Sequence, residues 1–165
     1  MIDPDPSGKT APHAGAAADG SRVVFADLPP ADPRWESASP VLRQLRPHLD
    51  DEAFEAVHRA GAMQGMVFTG AFDGERCLGV AGWRVMDTTS VLRKLYVDDL
   101  VVDASVRSRG VGAALLGHLE ARGVAAGCRV IELDSGHQRQ QAHRFYRAEG
   151  YVDRSAHFAK DLGPA

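Results

Sequence analysis

Leu100-Val101-Val102 is an apolar stretch that breaks at Asp103-Ala104-Ser105, passes through Arg107-Ser108-Arg109-Gly110-Val111-Gly112-Ala113 and enters helical spacing at Leu115 and Leu116. A strand that reaches a helix through a glycine turn makes an anion trap. The first turn of a helix leaves N–H groups without partners and carries the positive end of the macrodipole, so several donors grip a phosphate at once. Gly110 and Gly112 lack a Cβ, which frees the backbone and lets a ligand come close, and Arg107 and Arg109 add charge that pairs well with phosphate. A diphosphate suits such a turn.

Other phosphate loops compete for this pattern. A P-loop needs Lys and then Ser or Thr behind its last glycine, and Ala113 and Ala114 stand there instead. A dinucleotide fingerprint stays open, because Glu132 and Asp134 follow the glycines by about twenty residues, although Leu115 takes the place of the third glycine. A plain glycine-rich connection with no ligand also stays open.

A second group follows at Ala142-His143-Arg144-Phe145-Tyr146 and Glu149-Gly150-Tyr151. With Arg107-x-x-Gly110-x-Gly112 behind Leu100-Val101-Val102, in this order and at this separation, the chain resembles the GNAT superfamily of acyl-CoA-dependent N-acyltransferases from about Arg22 to Leu162. The resemblance implies an α/β (α+β) single-domain fold. Its mixed central sheet has about six or seven strands flanked by helices, and a splayed parallel strand pair forms the acyl-CoA slot. It further implies that Leu100, Val101 and Val102 present backbone groups to the pantetheine arm and thioester. The turn from Arg107 through Ser108, Arg109, Gly110, Val111, Gly112 and Ala113 would bind the diphosphate, and Tyr146 would protonate the departing thiolate. An acid at the place of Asp98 or Asp99 would handle the acceptor's protons. Many members carry Asn where this chain has Arg139, and an arginine there can reach phosphate or solvent instead.

The elements that must position these groups are read from periodicity. Residues 1–20 are rich in Pro, Gly, Ala and Asp without an apolar period and are expected to be a disordered tail, leaving 21–162 as the domain that the resemblance implies is an N-acetyltransferase. Residues 21–28 read as a strand. Trp35, Ala38, Leu42, Leu45 and Leu49 have helical spacing, with Pro40 behind Ser39 expected to open a helix, Pro47 to end it, and Asp50 or Asp51 to cap the next. Arg46, His48 and Asp50 in this helical hairpin border the acceptor in the resembled family; the competing reading is that they are solvated loop residues. Residues 64–72 and 76–86 form a hairpin about Asp73-Gly74, and 91–102 form a long strand. Strict alternation there puts Tyr96, Asp98, Leu100 and Val102 on one face, and Leu95, Val97, Asp99 and Val101 on the other. The helix from Val111 to about Ala126 leads to a parallel strand at 129–134. Ser135-x-x-Gln138 resembles a capping box for a helix from Gln138 to Glu149, and 151–156 and 157–162 are expected to close the sheet as an antiparallel pair.

Bulk properties narrow the function. A chain of 165 residues suffices for one core without staples, and a net charge of −3 disfavours nucleic acid as a partner. Cys77 and Cys128 sit in apolar runs and read as buried thiols of a reducing compartment. With no apolar run long enough for a membrane span and no signal-like start, the expected location is cytoplasmic. No His or Cys spacing suggests a metal site.

The expected activity is transfer of an acetyl group from acetyl-CoA, as co-substrate and without a metal, to a primary amine of a small molecule or peptide by direct attack. The acidic pair leans toward a cationic acceptor, and the family's habits toward a homodimer. The competing class is a catalytically silent CoA-binding regulatory module, which only Arg139 at the usual Asn position supports. A nicotinamide oxidoreductase is the third reading.

Overall fold

The computed structural model describes residues 15–16 and 22–163. The chain order is β1 (Gly15–Ala16), β2 (Arg22–Asp27), α1 (Trp35–Arg43), α2 (Asp51–Met63), β3 (Val67–Asp73), β4 (Arg76–Thr88), β5 (Leu92–Val102), a 3₁₀ turn (Ala104–Val106), α3 (Val111–Ala125), β6 (Val130–Leu133) and α4 (Gln140–Ala148). Strands β2 to β5 form an antiparallel meander, and β6 returns through α3 to pair with β5 in parallel. Among the described residues the mixed sheet proper thus has five strands; β1 only adds a two-residue antiparallel bridge to Arg22 and Val23. Apart from Gly15 and Ala16, the expected disordered tail lies outside the described residues.

The missing strands are the last two. Residues 151–162 have no regular structure, which corrects the expected closing pair and brings the sheet below six or seven strands. Their polar side chains bond elsewhere: Arg147 holds Asp153 at 2.7 Å, and His157 Nδ1 lies 3.1 Å from Asp134. Val152, Phe158 and Leu162 remain exposed.

Two apolar clusters cover the two faces of the sheet. Ala81, Trp83, Leu95 and Val97 pack under Val111, Leu115 and Leu119 of α3. Phe68, Phe72, Val80 and Val101 pack under Trp35, Val41 and Leu42 of α1, with Phe54 of α2 against them. Burial of that α1 stripe explains why Pro40 lies inside α1 and does not start a helix: one backbone hydrogen bond is lost, and Trp35, Ala38, Val41 and Leu42 are buried in return. Asp50 does cap α2, accepting the Ala53 N–H at 2.8 Å. The expected capping box of α4 does not form, since Arg139 is the N-cap residue and no side chain bonds there.

One irregularity in β5 matters most. Gly82 pairs with Asp99 and Trp83 with Val97, so Asp98 is an extra residue with no partner across the ladder. A bulge shifts the alternation by one. Before it Leu95 and Val97 face α3; beyond it Leu100 and Val102 take that side, while Val101 faces α1. The expected grouping of Tyr96 with Leu100 and Val102 is therefore corrected.

Candidate functional site

The bulge coincides with the parting of β5 and β6. Val97 and Leu133 are the last paired residues, after which β6 leaves the sheet while β5 runs on to Val102. The opened edge of β5, the start of α3 and one side of α4 enclose a cleft of about 820 Å³.

Strand residues Leu100, Val101 and Val102 form one wall. Arg107, Ser108, Gly110, Val111, Gly112 and Ala113 form the next. Ser108 at φ 65° and Gly110 at φ 83° reverse the chain, and the first helical bond runs from the Ala114 N–H to Gly110 O at 2.9 Å. The N–H groups of Val111, Gly112 and Ala113 consequently have no partner in the helix, the condition for holding an anion. Gly112 has a reason of its own for being glycine. A Cβ there would meet Phe145 Cζ at 3.2 Å and Val102 Cγ2 at 3.5 Å, so it lets α4 close on the turn. Arg107 donates from Nε to Val102 O at 3.4 Å and lines the cleft, whereas Arg109 is not among its lining residues.

Arg139 and Tyr146 come from α4 and its N-cap. Tyr146 packs between Phe145 and Tyr151 at ring distances of 5.3 and 5.9 Å, with the rings tilted by 54° and 55°. Burial raises the Tyr146 phenol above its ordinary range, and the charge of Arg139 opposes that rise. The hydroxyl thus stays protonated and able to donate.

Neither acid of the predicted pair lines the cleft, and both are ion-paired. Arg84 forks onto Asp98 with Nε–Oδ2 2.8 Å and Nη2–Oδ1 2.9 Å, and hydrogen bonding to Asp98 raises the Arg84 pKa first of all. Arg46 donates from Nε to Asp99 Oδ1 at 2.7 Å and from Nη2 to Asp98 O at 3.3 Å. A free acidic patch for a cationic acceptor is not what these two residues make. Of the helical-hairpin candidates, Arg46 reaches β5 and Asp50 serves as a cap.

Several lining residues escaped the sequence reading. Gln44 and Leu45 project from the end of α1, and Gln44 Oε1 accepts the Ala104 N–H at 3.0 Å. Sixty positions separate those partners, and no local signal links them. Phe145 is half-buried and lines the cleft. Among the described residues no cluster of His, Cys, Asp and Glu could hold a metal ion, and no helix is long and apolar enough to cross a membrane.

Comparison with known proteins agrees with this geometry. The model of the acetyltransferase (GNAT) family matches residues 32–151. The chain is 27% identical over 130 residues to the uncharacterized N-acetyltransferase YhdJ of Bacillus subtilis, covering 78% of this chain and 92% of that protein. It is 36% identical over 66 residues to the aminoalkylphosphonate N-acetyltransferase of Salmonella typhimurium, 40% of this chain and 43% of the relative. Its fold is similar to that of the aminoglycoside N-acetyltransferase AAC(6')-Iy in complex with CoA, with a TM-score of 0.76, 18% identity and coverage of 87% and 97% of the two chains. On the match that spans most of its length, from just before α1 to just after α4, this chain belongs to the acetyltransferase (GNAT) family.

Proposed function

We propose that the protein transfers an acetyl group from acetyl-CoA directly to a primary amine of a small molecule or peptide. The observation that carries this reading is the meeting, in one cleft, of three unpaired N–H groups of α3, the open edge of β5 and the protonated Tyr146 phenol.

Each wall has a task. The N–H groups of Val111, Gly112 and Ala113 take the diphosphate, with Arg107, Ser108 and Arg139 beside them. The edge of β5 from Leu100 to Val102, which has no strand beside it past the parting, offers backbone groups to the pantetheine arm and thioester. A primary alkylamine with a pKa near 10 is only about one part in a thousand neutral at pH 7, so it must lose a proton before attack. Asp99 is the better placed acid for this, because Arg46 holds only Oδ1, whereas both oxygens of Asp98 are used by Arg84. It lies next to Leu100 and acts through a water. The amine then attacks the thioester carbonyl, the C–S bond breaks, Tyr146 gives its proton to the leaving thiolate, and the proton shed by the new amide nitrogen returns to the phenol through water. A phenol near 10 is a weaker acid than a thiol near 8.5, so this transfer is uphill by itself and is completed by that returning proton. Holding the two reactants in one slot removes much of the entropic barrier.

The test follows thiol release from acetyl-CoA across a library of amines. Amine-dependent release is expected. Tyr146→Phe should then lower kcat by about 10²-fold or more while calorimetry finds CoA affinity kept. CoA binding without turnover on any amine would instead favour the silent module, and stabilisation by NAD but not CoA would favour the oxidoreductase.

A further inference from the structure

The end of α1 grips the β5 wall of the cleft from both sides. Arg46 reaches Asp99 Oδ1 at 2.7 Å just before Leu100, and Gln44 Oε1 accepts the Ala104 N–H at 3.0 Å just after Val102. Gln44 is the C-cap residue of α1, where its own N–H bonds to Val41 O at 3.1 Å, and buried Val41 and Leu42 hold that helix to the sheet. Its backbone is therefore set, and its side chain has one defined partner.

That partner orients the amide. A backbone N–H can only donate, so the side chain turns Oε1 toward Ala104 and leaves Nε2 on the other branch. The Nε2 hydrogens meet no acceptor among the described residues. Gln44 is exposed and lines the cleft beside Leu45, Leu100 and Val102, so an uncharged donor stands on an otherwise apolar stretch of wall.

Its place along the wall sets the ligand. The phosphates of coenzyme A have the N–H groups at the start of α3 and the guanidiniums of Arg107 and Arg139. The arm that follows is uncharged and carries amide groups, and it must run along Leu100 to Val102 to bring its thioester to the parting of β5 and β6. A carbonyl drawn onto an apolar wall without a donor would weaken binding, and Gln44 has a donor to give. We propose that Gln44 Nε2 donates to a carbonyl oxygen of the pantetheine arm, so that the end of α1, expected to border the acceptor, also serves the cofactor. This rests on the acetyltransferase reading above and adds a cofactor-binding residue to it.

The experiment compares CoA with ADP, which keeps the diphosphate and lacks the arm, on the native protein and on Gln44→Met. Methionine keeps glutamine's length and helix preference and removes both polar ends. Calorimetry, with ADP read by its displacement of CoA, gives the ratio of the two affinities, while circular dichroism checks that the variant folds. That ratio is expected to fall about fivefold in Gln44→Met, as for one uncharged hydrogen bond. An equal loss for both ligands would place the effect of Gln44 at the diphosphate turn, and no loss for either would leave it without a role in binding. Each of these overturns the inference and leaves amine acetylation standing. Failure of the native protein to bind CoA overturns the acetyltransferase reading itself, and this inference with it.

Discussion

Two glycines of one short stretch answer opposite demands. Gly110 has φ 83° with nothing within 4 Å of where a Cβ would stand, so only its backbone conformation requires glycine. Gly117, in the middle of α3, has an ordinary φ and equally open surroundings. Gly110→Ala should cost about 1 kcal/mol of stability, because an L side chain is strained there, and weaken CoA binding as the turn shifts. Gly117→Ala should add about 0.5–1 kcal/mol by removing helix-breaking freedom. Urea titration of the pair reads both signs. Tyr146 and the Asp98–Arg84 fork show why residue type alone was an incomplete guide. The tyrosine of the Phe-Tyr pair was legible as a candidate site residue and does line the cleft, but the guanidinium that occupies both Asp98 oxygens comes from another strand.

At the level of the elements, α3 is fastened to the sheet at the end far from the cleft. Arg122 forks onto Asp27 of β2 at 3.1–3.2 Å and lies 4.8 Å over the Trp83 ring of β4. Asp27 also accepts the Thr69 hydroxyl at 2.7 Å, and Thr69 in turn accepts Trp83 Nε1 at 3.0 Å, so one polar chain ties α3 to three strands. Because the Arg122–Asp27 pair is about two-fifths exposed, screening leaves it a modest contribution. Arg122→Ala should lower stability by about 1 kcal/mol, most of it from the lost stacking and packing, and shift Trp83 fluorescence. An unchanged denaturation midpoint would contradict that role. By contrast, α4 buries no residue completely, and its Phe145 stands close over Gly112 of α3, which suits a wall that must admit a ligand.

Over the whole molecule, stability depends on pH through a buried histidine. His58 is 4% exposed and sits among Trp35, Phe54 and Phe68 at ring distances of 5.1, 5.4 and 5.0 Å. Burial lowers its pKa, against the effect of a hydrogen bond to the Leu28 backbone. The unfolded chain therefore takes up this proton near pH 6.5 while the folded chain still refuses it, and stability falls as pH drops below about 6.5. His58→Phe should flatten that slope in denaturant titrations between about pH 7.5 and 5.5. A slope equal to that of the native protein would show that another group carries it. Asp32 acts in a separate window: hydrogen bonding to Arg34 lowers it to about 2, so its contribution is present above pH 4 or so and lost as pH falls toward about 2.

The features legible before folding are those that neighbouring residues settle among themselves. The glycine turn at Gly110, the Asp50 cap, the hairpin at Asp73-Gly74, the helical spacing of α3 and the Phe145-Tyr146 pair all follow from short-range sterics, capping and periodicity. Long-range packing set where Asp98 bulges, which arginines neutralise Asp98 and Asp99, and that Gln44 and Phe145 line the cleft. Those outcomes join residues tens of positions apart. A one-residue shift in strand register changes which face a side chain takes, and nothing in the local pattern of β5 encodes that shift.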